Sequence, residues 1–274
     1  MGDSRVSLHS QTLNYEMQPL GDRCVLIRLG DEINEETHHI VIAVTKLIEG
    51  QRLLGISDIV PAYTSVAVHY DPLQIWRSRS FEETDHATIY ATMCARLNLL
   101  LRAFKDIDVS HIGHRTIEIP VCYGGKYGPD LGVVAEHCGL NEDEVISIHS
   151  SGNYLVYMIG FAPAFPYLGG MSERIATPRR QTPRTVIPVG SVGIAGVQTG
   201  VYPIETPGGW QLIGRTPLRL FQPQLEIPSL LEAGDHIRFI PIAEEQYEGW
   251  HTVDENVASL VNSLASSGGE VRWQ

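Results

Sequence analysis

Between Gly160 and Arg219, eighteen of sixty residues are glycine or proline, and no helical period survives across that stretch. Proline fixes φ and brings no backbone donor, so it is kept out of helix interiors and central strands. Short apolar runs such as "TVIPVGSVGIAGV" and "WQLIG" alternate there with turn residues. That texture predicts a compact β-barrel or sandwich with long, stiff loops.

The rest of the chain reads differently. The first 110 residues predict an α+β unit, with strands over 12–18 and 23–29 around a turn at Gly21-Asp22. "INEETHHIVIAVTKLIEG" predicts a helix capped by Asn34, with Ile40, Val41, Val44, Leu47 and Ile48 on one face and Gly50 as its C′ residue. Two strands broken near Pro61-Ala62 follow, then a second amphipathic helix over 85–104. The expected result is a small open sheet covered by two helices. The polar stretch 106–115 marks a boundary. This divides the chain into an N-terminal α+β domain (1–110), a β-barrel domain (111–245) and a helical tail (246–274) whose residues from 267 on should fray. Within the second part, "TIEIPVCY" reads as a strand and Pro129 as N1 of a short helix ending near Gly139. Asn141 to Glu144 forms a capping-box pattern for a helix ending near His149, and "LEAGDHIRFIPI" is a further strand.

Composition excludes several classes of function. A formal charge of −12 and a pI near 5.3 argue against nucleic acid, which needs a broad basic face. No run of 18 apolar residues exists to span a membrane. The first residues, "MGDSRVSLHSQTLNY", lack the apolar core of a signal peptide and the Ser or Thr of a myristoylation site. Cys24, Cys94, Cys122 and Cys138 form no CxxC pair, so no metal site is expected and the thiols fit a reducing cytoplasm. "GGKYG" at 124–128 lacks the Ser or Thr of a phosphate loop; GxGxxG, GxSxG and HExxH are missing.

Two stretches carry candidate site residues. "GFAPAFPYLGG" holds Phe161, Pro163, Phe165 and Tyr167 on a pre-ordered loop, as pocket lining, partner-facing anchors or core. "TPRRQTPR" then sets Arg179, Arg180 and Arg184 in a run with no acid from Arg174 to Ile204. Every cationic side chain after Lys126 is arginine, whose planar fork suits carboxylate or phosphate. Either these guanidiniums are staples pairing with distant acids, or they hold a ligand. "GVQTGVYPIETPGGWQLIGRTPLRLF" adds Gln198, Tyr202, Trp210 and Arg215. Arg179, Arg184 and Arg215, with Gln198, are expected to line one concave anion site for a small carboxylate or amide substrate. Phe161, Phe165, Tyr167 and Trp210 are expected beside it as anchors for a partner sharing the cleft. The titratable candidates for catalysis are His149, Tyr202 and Glu205, too thin a set to work alone.

"YGPDLGVVAEHCGL", "GFAPAFPYLGG", "ATPRRQTPRTVIPVGSVGIAG", "GVYPIETPGGWQLIGRTPLRLF" and "LEAGDHIRFIPI" together resemble the allophanate hydrolase subunit 1 family. That family includes the B-type component of the prokaryotic ATP-dependent 5-oxoprolinase and the sporulation kinase inhibitor KipI. The resemblance covers essentially the whole chain and is densest from about 117 to 242. It implies a small α+β domain followed by a cyclophilin-like β-barrel. It also implies a subunit-2 (C-type) partner, a lactam hydrolase of the A type, and ATP bound by the complex. The expected activity is that of a 5-oxoprolinase subunit, inactive by itself. A non-enzymatic inhibitor of a histidine kinase, or subunit 1 of an allophanate hydrolase or urea carboxylase-type carboxyltransferase, stays open. One departure is visible: the family usually reads GFAPGFPYL, and Ala164 replaces the glycine. If that position has positive φ, alanine costs about 1 kcal/mol; otherwise its methyl narrows a pocket.

Overall fold

A computed structural model describes residues 13–102, 115–252 and 270–271. The chain divides into two compact units, Met1–Ile112 and Gly113–Gln274. The boundary expected at 106–115 lies almost wholly outside the described residues.

The first unit contains β1 (Glu16–Pro19), β2 (Cys24–Arg28), α1 (Glu35–Gln51), β3 (Ile56–Pro61), β4 (Ser65–Tyr70), α2 (Pro72–Arg77) and α3 (Ile89–Arg102). Its antiparallel sheet runs β1-β2-β4-β3. In β4 burial alternates residue by residue, so one face is covered. Val66 pairs with Ile27 and Val68 with Val25, and these four pack against Val41, Val44 and Ile48 of α1 and Met93, Leu97 and Leu101 of α3. Asn34 caps α1 by accepting from the Thr37 amide at 2.8 Å. The helix does not stop at Gly50 as expected. It continues to Gln51, and Arg52 takes the left-handed position at φ 43. The second helix, expected over 85–104, begins later, with α3 starting at Ile89 and Asp85 ending a 3₁₀ turn at Glu82–Asp85.

The second unit contains β5 (Thr116–Tyr123), α4 (Leu131–Cys138), α5 (Glu142–Ser150), β6 (Tyr154–Ile159), β7 (Pro166–Gly169), β8 (Arg184–Ile187), β9 (Ser191–Ala195), β10 (Gln198–Val201), β11 (Thr206–Gly208), β12 (Gln211–Arg215), β13 (His236–Pro241), α6 (Glu244–Glu248) and β14 (Glu270–Val271). Seven strands, in the order β12-β9-β10-β7-β6-β13-β5, form a closed barrel because β12 also pairs with β5. Closure depends on Gly214, opposite Tyr123. A Cβ there would stand 2.6 Å from Val121 Cγ1 and 2.9 Å from the Cys122 carbonyl oxygen. The sequence-based expectation of a small α+β unit followed by a cyclophilin-like barrel is met. β8 and β11 form a separate two-stranded ribbon.

Ile117, Ile119, Val121, Val156, Ile194, Val201, Ile213, Ile237 and Phe239 fill the barrel core, joined by Leu131 and Val134 of α4 and Val145 of α5. The capping box is present: Asn141 accepts from the Glu144 amide and Glu144 accepts from the Asn141 amide. Pro129 is not N1 of α4, which starts at Leu131. The preceding Asp130 makes no cap bond because its carboxylate is held elsewhere. Of the expected helical tail, α6 is seen and most of 253–274 is outside the described residues. Glu270–Val271, expected to fray, lies parallel to β5.

His149, at the end of α5, points into the core and is fully buried. Thr199 Oγ1 donates to the Gly193 carbonyl at 3.1 Å. Its one hydrogen is thereby used, so at 2.9 Å it accepts from His149 Nε2–H. Nδ1, 2.7 Å from the Tyr123 oxygen, then accepts from that hydroxyl. This fixes a neutral imidazole, and burial pushes its pKa down to about 3. His149 is thus a structural residue and is withdrawn as a catalytic candidate. Unfolded chains take up the proton near the ordinary value of 6.5 and the folded chain only near 3. The contribution is therefore complete above pH 6.5 and lost as pH falls toward 3, by about 1.4 kcal/mol per pH unit. Denaturant titrations from pH 7 to 4 should show this slope, and His149→Gln should flatten it. An identical slope in the variant would exclude His149 as its source.

Candidate binding cavity on the barrel

Asp130 organises the arginine-rich segment. Its side chain is only 4% exposed, and one oxygen accepts from Arg180 Nη1 at 2.9 Å and Arg184 Nη2 at 2.8 Å. The other accepts from the Leu212 amide at 2.7 Å. Two further bonds hold the segment: the Arg180 amide donates to the Gly209 carbonyl at 2.7 Å, and Gln211 Nε2 donates to the Pro178 carbonyl at 3.0 Å. The acid-free run therefore finds its counter-charge about fifty residues upstream in the chain. Arg180 and Arg184 are staples, the first of the two outcomes left open by the sequence.

The fixed segment forms one wall of a cavity of about 370 Å³, at the small end of ligand pockets. Tyr167, Gln198, Pro183 and the β11 residues Pro207 and Gly208 line it together with Phe161, Phe165, Arg179, Tyr202, Gly209 and Trp210. Four aromatic rings surround Phe165. Its ring centroid lies 5.4 Å from that of Phe161, 5.3 Å from Tyr167, 5.6 Å from Tyr202 and 5.8 Å from Trp210, all edge to face. Such pairs add about 0.5–1.5 kcal/mol each beyond burial. Gly200 makes the cluster possible: a Cβ there would come 3.1 Å from Phe165 Cζ and 3.2 Å from Trp210 Cζ3.

The predicted site residues separate clearly. Arg179, Gln198, Tyr202, Phe161, Phe165, Tyr167 and Trp210 meet at this cavity. Pro163 is exposed and outside the lining, as is Glu205. Arg215 is also elsewhere: its guanidinium carbon lies 5.7 Å from the Tyr127 ring centre, at the far end of β12. Four residues of strand rise carry it about 13 Å from Gln211. The expected three-arginine anion site is thus corrected to Arg179 alone. Phe165 and Trp210 are 2% and 8% exposed, so they are walls packed into the barrel and cannot serve as partner-facing anchors. Phe161, at 69%, is the exposed aromatic of the rim. Sequence reasoning missed Asp130, Pro183, Pro207, Gly208 and Gly209. Only the missing counter-charge hinted at the first.

Arg179 makes no ion pair among the described residues, and no carboxylate or imidazole lines the cavity. Burial raises the Tyr202 phenol to about 12, with Arg179 and Arg184 opposing the shift. At neutral pH it is a hydrogen-bonding group and not a base. The loop before it is held in an unusual backbone: Phe161 has φ 65 and Ala164 φ 61. Ala164 is therefore an alanine at a left-handed position.

The family described as carboxyltransferase domain, subdomain C and D, matches residues 15–231, and the chain belongs to it. The chain is 48% identical over 245 residues to the 5-oxoprolinase B subunit of Bacillus subtilis (strain 168), covering 87% of this chain and 98% of that protein. It is 60% identical over 145 residues to the 5-oxoprolinase B subunit of Escherichia coli O157:H7, 53% of this chain and 66% of that one. Among solved structures, TTHA0988 aligns at 33% identity with a TM-score of 0.67. That alignment covers 81% of this chain and 40% of the longer one.

Two stability measurements check the local reading. Asp130→Ala strands two guanidiniums that are themselves about a quarter to a third exposed, and should cost about 2–3 kcal/mol. A loss below about 0.5 kcal/mol would mark the cluster as an ordinary surface pair. Ala164→Gly relieves a left-handed alanine and should gain about 1 kcal/mol; an unchanged or lower melting temperature would contradict the strain.

Proposed function

We propose that this chain is the B-type subunit of a 5-oxoprolinase, acting with partner subunits in the ATP-coupled opening of the 5-oxoproline lactam to glutamate. The observation that carries the reading is the 48% identity to a 5-oxoprolinase B subunit along 98% of that protein. The cavity agrees with a subunit's role. It offers a guanidinium, phenols and an amide, which hold and orient a small molecule, but no carboxylate or imidazole placed to move a proton. His149 is locked neutral in the core. The proton transfers and the phosphate chemistry therefore fall to groups from a C-type subunit and an A-type lactam hydrolase, with ATP bound by the assembly. A cytoplasmic location belongs to the same proposal. Among the described residues no helix is long and apolar enough to cross a membrane, and all four cysteines are free thiols.

Reconstitution with A- and C-type subunits tests the reading. Glutamate and ADP should form from 5-oxoproline and ATP with all three present, and formation should stop when this chain is omitted. Equal turnover without it would overturn the proposal.

A further inference from the structure

The arginine-rich segment divides its charges. Arg180 and Arg184 are tied to buried Asp130, which leaves Arg179 as the single charged side chain lining the cavity. A phosphate group is usually met by several donors at once, from a guanidinium fork, a backbone nest or a helix start. One guanidinium facing a single carboxylate makes a matched pair. Apart from the Gln198 amide and two glycines, the remaining wall is five aromatic rings and two prolines, which favours a compact, largely apolar or ring-shaped body. The neutral Tyr202 hydroxyl can donate to a carbonyl or accept from an N–H.

We infer that this cavity is a binding subsite for a small monocarboxylate with a compact ring, its carboxylate on Arg179 and its body against the Phe165–Tyr202–Trp210 rings, and that it excludes nucleotide and phosphate. The choice of ring rests on the 5-oxoprolinase reading; the monocarboxylate class does not. It follows that ATP and 5-oxoproline occupy separate places in the assembly, and that this chain's share of the work is to present the lactam.

The test uses the full chain in calorimetric and NMR titrations. The probes are 5-oxoproline, cyclopentanecarboxylate, 2-pyrrolidinone (the same lactam without the carboxylate), ATP and inorganic phosphate. Both carboxylates should bind at least tenfold more tightly than 2-pyrrolidinone, and ATP and phosphate should not compete. Arg179→Gln alters an exposed side chain, so its melting temperature should hold while 5-oxoproline affinity falls to that of 2-pyrrolidinone. Equal binding of 5-oxoproline and 2-pyrrolidinone, an Arg179→Gln variant that binds as the parent does, or displacement by ATP would each overturn the inference. In the reconstituted complex the same variant should raise the KM for 5-oxoproline tenfold or more and leave that for ATP unchanged. Turnover with an unaltered KM would sink the subsite while the 5-oxoprolinase role stands. Arg179-dependent carboxylate binding with no turnover by the complex would sink the role while the subsite stands.

Discussion

The carboxylate of Asp130 is the joint on which the cavity depends. It sits between a glycine-rich turn and α4, accepts from two guanidiniums and one strand amide, and so ties the segment 178–184 to the barrel strand β12. A buried carboxylate without partners would be costly to desolvate, and the two arginines would repel each other without it. Each half of the cluster needs the other. The consequence is geometric: with Arg180 and Arg184 drawn inward, their neighbour Arg179 is left on the cavity wall. A three-arginine run thus yields two structural residues and one available cation.

The same economy of space governs the aromatic wall. Phe165 and Trp210 reach the cavity only because β10 carries glycine at position 200, where the rings come within contact distance of the backbone. Behind them Ile187, Ala195 and Leu212 complete a small apolar cluster separate from the main barrel core. The cavity walls are therefore supported by packed side chains on both sides, and binding would require little rearrangement of the lining.

Much of this was legible beforehand, and the failures have identifiable causes. The barrel announced itself through glycine and proline density between Gly160 and Arg219, and the Asn141–Glu144 box through its spacing, because both signals are local. The members of the cavity, Arg179, Gln198, Tyr202 and the aromatic loop, could be chosen by residue type on short, turn-rich segments. What failed was long-range. Nothing near Arg184 in the chain points to Asp130, 54 residues away, and Asp130 itself reads as a helix start. Arg215 looked like a site member because it is a polar-tipped residue on a turn-rich stretch of an arginine-only region, but an extended strand carries it to the other end of β12. His149 looked titratable because a sequence does not display burial. Burial keeps it neutral, and Tyr123 and Thr199, brought together by the fold, satisfy its two ring nitrogens.

Neutrality at His149 and at Tyr202 has different consequences. The histidine is sealed in the core, and its hydrogen bonds run only to the barrel's own groups. The phenol is at the cavity, raised to about 12 by burial, so it keeps its proton throughout the physiological range. A base poised for catalysis would need a value near the working pH; a group that fixes orientation benefits from being far from it. Under the proposed function, a single cation, two prolines and aromatic walls suit a surface that holds a small molecule in one orientation. Under the proposed function, the chemistry then has to be completed by groups from outside this chain that reach the open side of the cavity. The exposed Phe161 ring marks the rim of that opening. In that proposal this chain presents the small molecule and the partner subunits bring the groups that react with it.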